Sequence, residues 1–175
     1  YENPNELLSI SLGSAETTLL KLTSAYCSFV NGGKLIEPKL IDRIQDSEGN
    51  TIFKTEVRKC KNCEDVSMQS NEVPEIKDES KQIFSSQTAY QITSILEGAT
   101  RTGTAKKLRD LRMDLAGKTG TTNKNTDTWF IGFTSDLVIG VYVGYDEPKT
   151  LGKFETGAKT AMPIFKSFIK SALKK

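Results

Sequence analysis

Three apolar segments that follow one another between residues 115 and 145 constrain the fold of this chain most strongly. The second segment, 127–134, alternates polar and apolar side chains, which is the pattern of a half-buried strand. The first, 115–122, and the third, 137–145, are strand-like as well, and only short polar turns separate the three. The spacing therefore predicts a three-stranded antiparallel meander.

Helical patterns precede the predicted meander. Apolar residues fall at helical spacing over 18–30, and Asn31, Gly32 and Gly33 are suited to end that helix because glycine adopts the left-handed conformation of a C-cap. The segment Ser85-Ser86-Gln87 can cap a second helix, and we expect Gly98 and the threonine-rich segment Thr100–Thr104 to end this helix.

Two further helices are predicted. A short one over 105–110 carries an exposed basic cluster, and a final one over about 158–172 should pack on the sheet. The expected apolar face of the final helix consists of Ala161, Ile164, Phe165, Phe168, Ile169 and Leu173. The predicted fold class is thus α+β, an antiparallel meander packed by helices.

The region between the first two helices differs in character. Strand-like residues over 35–44 and 51–54 flank a polar turn, which predicts a small accessory hairpin. Residues 55–82 are charged and poor in large apolar side chains, and we expect a long surface excursion there. Its Cys60 and Cys63 form either a local disulfide or two free thiols, since one further cysteine and no histidine cannot complete a zinc site.

Composition excludes several classes of function. The chain has 175 residues, enough for one domain, and a net charge of +2 gives no electrostatic case for a nucleic-acid partner. There is no histidine, so a Ser-His-Asp or Cys-His catalytic group and histidine metal ligands are excluded, and no cofactor is indicated. Because the chain starts at Tyr1 and not at a methionine, we expect it to be a segment of a longer protein.

The end of the first predicted strand, Lys118-Thr119-Gly120-Thr121, carries the candidate chemistry. Lys118 is a cation that can attract a carboxylate, and the hydroxyls of Thr119 and Thr121 can hydrogen-bond the same group. Gly120 lets a substrate backbone come close to the strand edge, and the N–H of Thr121 can help to form an oxyanion hole. These features fit a peptide that ends in a carboxylate, with Lys118 as the catalytic candidate.

Several motifs in one order give the chain a family resemblance. These motifs lie at residues 12–14, 20–26, 30–33, 95–100, 103–105, 116–122, 127–134, 141–146 and 161–165. On these motifs the chain resembles, over nearly its whole length, the C-terminal part of the transpeptidase domain of class A, bifunctional penicillin-binding proteins of the 1A type.

The resemblance implies a partial β-lactamase/transpeptidase-like fold and a serine enzyme with three motifs. In this family the serine of Ser-x-x-Lys attacks the D-Ala-D-Ala end of a peptidoglycan stem peptide, an amine resolves the acyl-enzyme, and β-lactam antibiotics are trapped as adducts. Ser-x-Asn does not occur in the chain, and the two Ser-x-x-Lys matches begin at Ser167 and Ser171, downstream of Lys118, where surface serines are expected. We therefore expect an active full-length protein and an inactive isolated chain.

The same resemblance implies a location and a further partner. The full-length protein is expected on the periplasmic side of the bacterial inner membrane, anchored by an upstream segment and carrying a glycosyltransferase domain. The isolated chain is expected to self-associate through an uncovered edge or face of its sheet. A serine β-lactamase, a D,D-carboxypeptidase, a β-lactam sensor and a secreted non-enzymatic α+β binding module are the alternatives.

Overall fold

The computed structural model of the chain describes residues 7–55, 60–61, 75–76, 78 and 80–173. The chain forms two compact units, one from Tyr1–Ile36 with Gln82–Lys175 and a smaller one from Glu37–Lys81. In chain order the helices and strands are α1 (Leu19–Val30), β1 (Arg43–Gln45), β2 (Thr51–Lys54), β3 (Cys60–Lys61), β4 (Glu75–Ile76), α2 (Ser86–Arg101), β5 (Ala116–Thr121), β6 (Asp127–Phe133), β7 (Val138–Gly144) and α3 (Ala161–Ala172). Three 3-10 helices, Leu8–Leu12, Lys106–Leu111 and Asn123–Asn125, complete the described elements.

The smaller unit contains the predicted hairpin. β1 and β2 pair antiparallel around a turn in which the Asp46 carboxylate accepts hydrogen bonds from the backbone N–H of Glu48 and Asn50, at 3.0 and 2.8 Å. The first strand begins at Arg43 and is therefore shorter than the strand-like pattern over 35–44 indicated. Residues 35–42 do not pair with β2, and Pro38 among them has no backbone N–H to donate to a strand.

The excursion expected over 55–82 contains one ladder that sequence patterns did not indicate. β3 and β4 pair antiparallel, with Cys60 opposite Ile76 and Lys61 opposite Glu75. Cys63 lies outside the described residues, so a disulfide between Cys60 and Cys63 and two free thiols both remain predictions.

The larger unit is built around the predicted meander, which is confirmed. β5, β6 and β7 form a three-stranded antiparallel sheet in that order. Lys118 lies opposite Ile131, Gly120 opposite Trp129, and Trp129 opposite Tyr142. Because side chains alternate along a strand, residues 117, 119 and 121 share one face of β5, and residues 116, 118 and 120 share the other.

Helix α3 and the 3-10 helix Lys106–Leu111 cover the first face of the sheet. The rings of Phe130 on β6 and Phe165 on α3 meet edge to face with 4.8 Å between their centroids, and both side chains are fully buried. The surrounding core consists of Ala105, Leu108, Leu115, Val141, Ala161, Met162 and Ile169. Lys166 ties the two helical elements together, since its ammonium donates to the carboxylate of Asp110 at 2.5 Å and to the carbonyl of Lys107 at 2.9 Å.

The contact face of α3 is narrower than predicted. Ile164, Phe168 and Leu173 are 51%, 55% and 45% exposed, whereas Met162 is buried. The helix begins at Ala161, later than the expected residue 158, and it meets the sheet along residues 161, 165 and 169. Residues 164 and 168 lie on an adjacent stripe of the helix, so they do not reach the sheet.

Helices α1 and α2 lie on the second face. Their side chains pack around Ala116 and Phe133 of the sheet; this cluster also includes Leu96, Tyr26, Phe29, Val30, Ile92 and Val138. The Ser85 hydroxyl accepts from the N–H of Thr88 at 3.1 Å, which confirms the predicted cap of α2.

The end of α2 lies within the predicted threonine-rich segment. α2 ends at Arg101, inside the predicted Thr100–Thr104 segment and three residues past Gly98, and Thr102 is its C-cap. The hydroxyl of the buried Thr100 donates to the carbonyl of Leu115 at 2.6 Å and holds the last turn against the sheet. Cys27 in α1 is half-buried.

Candidate functional site

Strand β5 is an edge strand in the part of the chain that the structure describes. It pairs with β6 on one side, and in such a pair alternate residues direct their N–H and C=O groups away from the partner strand. The exposed Lys118 lies at this edge, where its ammonium donates a hydrogen bond to the carbonyl oxygen of Thr119 at 2.9 Å. The lysine side chain points to the face opposite Thr119 and reaches around the edge of the strand.

The hydroxyls of Thr119 and Thr121 lie on one face of β5, and each has a partner from outside the sheet. The Oγ1 atoms of Thr119 and Thr104 lie 3.1 Å apart. The backbone N–H of Gly157 donates to Thr121 Oγ1 at 3.1 Å. Because the oxygen of Thr121 is already an acceptor, its own hydroxyl hydrogen is available for another acceptor.

Gly120 lies between the two threonines, where there is little room for a side chain. A Cβ atom on Gly120 would lie 3.0 Å from the Cβ of Trp129, its cross-strand neighbour. Behind the same point, a Cβ on Gly157 would lie 2.5 Å from the carbonyl oxygen of Trp129 and 2.7 Å from that of Gly120. The segment that leads into α3 therefore runs directly against the backbone of β5 and β6.

The turn between β5 and β6 is fixed by a hydrogen-bond network that sequence reasoning missed. The Thr122 hydroxyl oxygen accepts from the N–H of Asp127 at 2.8 Å, and Asp127 Oδ1 accepts from the Tyr142 hydroxyl at 2.8 Å. The hydrogen bond to the Asp127 carboxylate, followed by desolvation, raises the pKa of Tyr142 above its ordinary value. Tyr142 also meets Trp129 edge to face at 4.7 Å between ring centroids.

The same turn is attached to the loop before α3. The side-chain amide of Asn125 donates to the carbonyls of Gly152 and Lys153 at 3.1 and 3.0 Å, and the N–H of Leu151 donates to the carbonyl of Asn125 at 2.8 Å. No local pattern predicts these contacts, because they join residues 26 to 28 positions apart. Together with Gly157 they hold the end of β5 from behind.

The two serines of the Ser-x-x-Lys matches lie away from this network. Ser167 and Ser171 are exposed on α3, and the Ser171 hydroxyl donates to the carbonyl of Ser167 at 3.1 Å. Their predicted surface position is confirmed. The basic cluster Lys106, Lys107 and Arg109 is exposed as well, on the 3-10 helix.

The arrangement at β5 suits recognition of a carboxylate on an extended peptide. A cation, two hydroxyls and a side-chain-free position occur within four residues of an edge strand. An extended ligand can pair with the open backbone groups of such a strand, while the cation and the hydroxyls bind its anionic end.

Among the helices of the described residues, none has the length and hydropathy of a membrane-spanning segment.

Comparison with known proteins supports the resemblance. The penicillin binding protein transpeptidase domain matches residues 2–170 of the chain. Penicillin-binding protein 1A of Rickettsia prowazekii (strain Madrid E) is 44% identical over an alignment of 175 positions that covers 98% of this chain and 22% of that relative. The chain thus spans about a fifth of the length of the curated relatives it matches.

Solved structures show the same fold. Penicillin-Binding Protein 1A from Haemophilus influenzae is 34% identical and superimposes with a TM-score of 0.78 over 95% of this chain and 28% of that chain. Penicillin-binding protein A from M. tuberculosis, solved as an imipenem acyl-enzyme complex, is 20% identical with a TM-score of 0.62 over 92% of this chain and 32% of that one, a likeness of fold alone. The predicted transpeptidase-like α+β fold is confirmed, and the chain belongs to the penicillin-binding protein transpeptidase domain family.

Proposed function

We propose that the chain supplies the substrate-binding strand of a serine D,D-transpeptidase that cross-links peptidoglycan stem peptides ending in D-Ala-D-Ala. The observation that carries the proposal is the edge strand β5, where Lys118, Thr119 and Thr121 surround the side-chain-free Gly120. Family membership supports a peptidoglycan substrate.

Lys118, Thr119 and Thr121 bind the terminal carboxylate of the stem peptide. The ammonium of Lys118, which donates to the Thr119 carbonyl in the free chain, turns toward the carboxylate when it is present. The peptide backbone lies along β5 next to Gly120, and the N–H of Thr121 donates to the oxygen that becomes negative during acyl transfer.

The nucleophilic serine lies before Tyr1 in the full-length protein, on the Ser-x-x-Lys motif, and the Ser-x-Asn motif lies there as well. The family resemblance implies a nucleophile upstream of Lys-Thr-Gly, and the chain covers only 22% of the Rickettsia prowazekii protein, which leaves most of such a protein outside it. The serine oxygen forms an ester with the penultimate D-Ala, the peptide C–N bond breaks, and terminal D-Ala leaves with a proton. An amine of a neighbouring stem peptide then displaces the serine and forms the cross-link.

β-Lactams use the same strand because they carry a carboxylate beside a reactive carbonyl. Membership of the penicillin-binding protein transpeptidase domain family supports this assignment. We place the full-length protein on the periplasmic side of the inner membrane, anchored by a segment before Tyr1 and joined there to a glycosyltransferase domain. The 175-residue chain alone is inactive, because it contains the strand that binds the substrate but not the serine that attacks it.

Labelling with a fluorescent penicillin tests the proposal. The full-length protein should form a covalent adduct, and peptide mapping should place the label on a serine before Tyr1, while the 175-residue chain stays unlabelled. A label on Ser167 or Ser171, or a full-length protein that takes up no label, would contradict the proposed function.

A further inference from the structure

In the described part of the chain, Thr104 is the one residue outside the sheet whose side chain forms a hydrogen bond with the hydroxyl of Thr119. The two Oγ1 atoms lie 3.1 Å apart, although 15 positions separate the residues. Thr104 belongs to the segment Gly103-Thr104-Ala105 that joins α2 to the 3-10 helix Lys106–Leu111, and its side chain is exposed. It therefore stands beside the proposed carboxylate site without being part of β5.

The backbone on both sides of Thr104 is fixed by packing. A Cβ on Gly103 would lie 2.9 Å from both the Cα and the carbonyl oxygen of Ala99, so the chain passes against the last turn of α2. Ala105 is fully buried, and its N–H donates to the Ala99 carbonyl at 3.1 Å. Thr104 thus has little freedom to move away from Thr119.

The chemistry of the ligand sets the direction of the hydrogen bond between the two threonines. A carboxylate can only accept hydrogen bonds, so Thr119 must donate its hydroxyl hydrogen to bind one. The oxygen of Thr119 then remains free to accept, and the hydroxyl of Thr104 is within reach to donate. Thr121 has the matching arrangement, because its oxygen accepts from the N–H of Gly157 at 3.1 Å.

We propose that Thr104 is a positioning residue for substrate recognition, which orients the hydroxyl of Thr119 toward the carboxylate of the stem peptide or β-lactam. This inference rests on the proposed function and adds a specificity residue to it. Thr104 donates to Thr119, Gly157 donates to Thr121, and both threonines of β5 are thereby held with their hydrogens directed at the ligand.

The test compares acylation rates of the full-length protein by benzylpenicillin and by its methyl ester, which lacks the carboxylate. Thr104→Val keeps the shape of the side chain and removes the hydroxyl. We expect it to lower the second-order acylation rate constant for benzylpenicillin about tenfold, because the hydrogen bond from Thr119 to the charged carboxylate is weakened. The rate constant for the ester should be unchanged, because the ester has no carboxylate to bind. Thr104→Ser should restore the rate for benzylpenicillin.

Two further variants separate positioning from a general structural effect. Thr102→Val is the matched control, since the Thr102 hydroxyl lies within its own helix end, 3.2 Å from the Gly98 carbonyl, and its rates should equal those of the wild type. In a Thr119→Val background, Thr104→Val should cause no further loss, because its effect passes through Thr119.

The outcomes distinguish this inference from the proposed function. Equal loss with both probes, or no loss with either, in Thr104→Val would overturn the role of Thr104 while acylation of the wild type still supports the transpeptidase. A loss in the Thr119→Val background equal to that in the wild type would also overturn it. If neither probe acylates the wild-type protein, the result contradicts the proposed function itself.

Discussion

The absence of a side chain at Gly157 allows the backbone to pass close to the Lys118-Thr119-Gly120-Thr121 strand. A Cβ on Gly157 would lie within 2.7 Å of the carbonyl oxygens of Gly120 and Trp129, whereas a Cβ on Gly98 would meet nothing within 4 Å. The same substitution by alanine should therefore have opposite effects at these two positions.

Gly157→Ala should destabilise the protein by about 1–3 kcal/mol, because the added methyl group overlaps backbone atoms that cannot move without disturbing β5. Gly98→Ala, inside α2, should stabilise it by about 0.5–1 kcal/mol. Thermal unfolding of the two purified variants measures both effects. Equal melting temperatures for the two variants would contradict the close approach at Gly157.

The Cys27 thiol should react slowly in the folded protein. Burial raises the pKa of this thiol above its ordinary value, so at pH 8 less of it is thiolate than in the unfolded chain, and thiolate is the reactive form. Iodoacetamide labelling followed by peptide mass spectrometry should show slower modification of Cys27 in native than in denatured protein, with a native rate that keeps rising above pH 9. Equal rates in both states would contradict it.

Sequence reasoning named the candidate site residues on β5 but not the contacts that hold them. The strand pattern and the Lys118–Thr121 motif are local, so Lys118, Thr119, Gly120 and Thr121 could be named from the sequence. Thr104, Asn125 and Gly157 reach the strand or its turn through contacts with residues that lie 15, 27 and 36 positions away. Such pairs depend on how the elements pack, which a single sequence does not display.

Helix α3 shows how the sheet selects one part of a broad apolar face. Phe165 and Phe168 both lie on the face that periodicity predicted, yet Phe165 is fully buried against Phe130 and Phe168 is 55% exposed. Periodicity indicates that a helix is amphipathic, but the contact stripe depends on the angle at which the helix meets the sheet.

The two phenylalanines give a matched pair of stability variants. Phe165→Ala should cost about 3–5 kcal/mol, because it opens a cavity in the core against Phe130. Phe168→Ala should change stability by less than about 0.5 kcal/mol, as expected for an exposed position. Urea unfolding of the purified variants measures the difference, and similar losses for both would show that α3 packs through a different face.

At the scale of the whole molecule, the sheet of the described chain has two edges, β5 and β7, and α3 exposes Ile164 and Phe168. Exposed strand edges and apolar patches favour association. We propose that the isolated 175-residue chain therefore associates with itself, and light scattering at high protein concentration should give a mass above 19.3 kDa. A clean monomer would contradict this.

A double variant distinguishes the two surfaces. Ile164→Glu with Phe168→Glu places charges on the exposed stripe of α3 and leaves both edges of the sheet intact. Association through the helix should disappear in this variant, whereas association through a strand edge should persist.

The most direct test of the role of β5 is the rate at which a labelled penicillin acylates the full-length protein when Lys118 is replaced. Lys118→Ala should lower the second-order acylation rate by about 100-fold or more, because the variant lacks the cation that binds the carboxylate and assists proton movement. Lys106→Ala, which removes an exposed lysine from the neighbouring 3-10 helix, should acylate at the wild-type rate. A Lys118→Ala variant that is labelled as fast as the wild type would contradict the assignment of β5 as the substrate-binding strand.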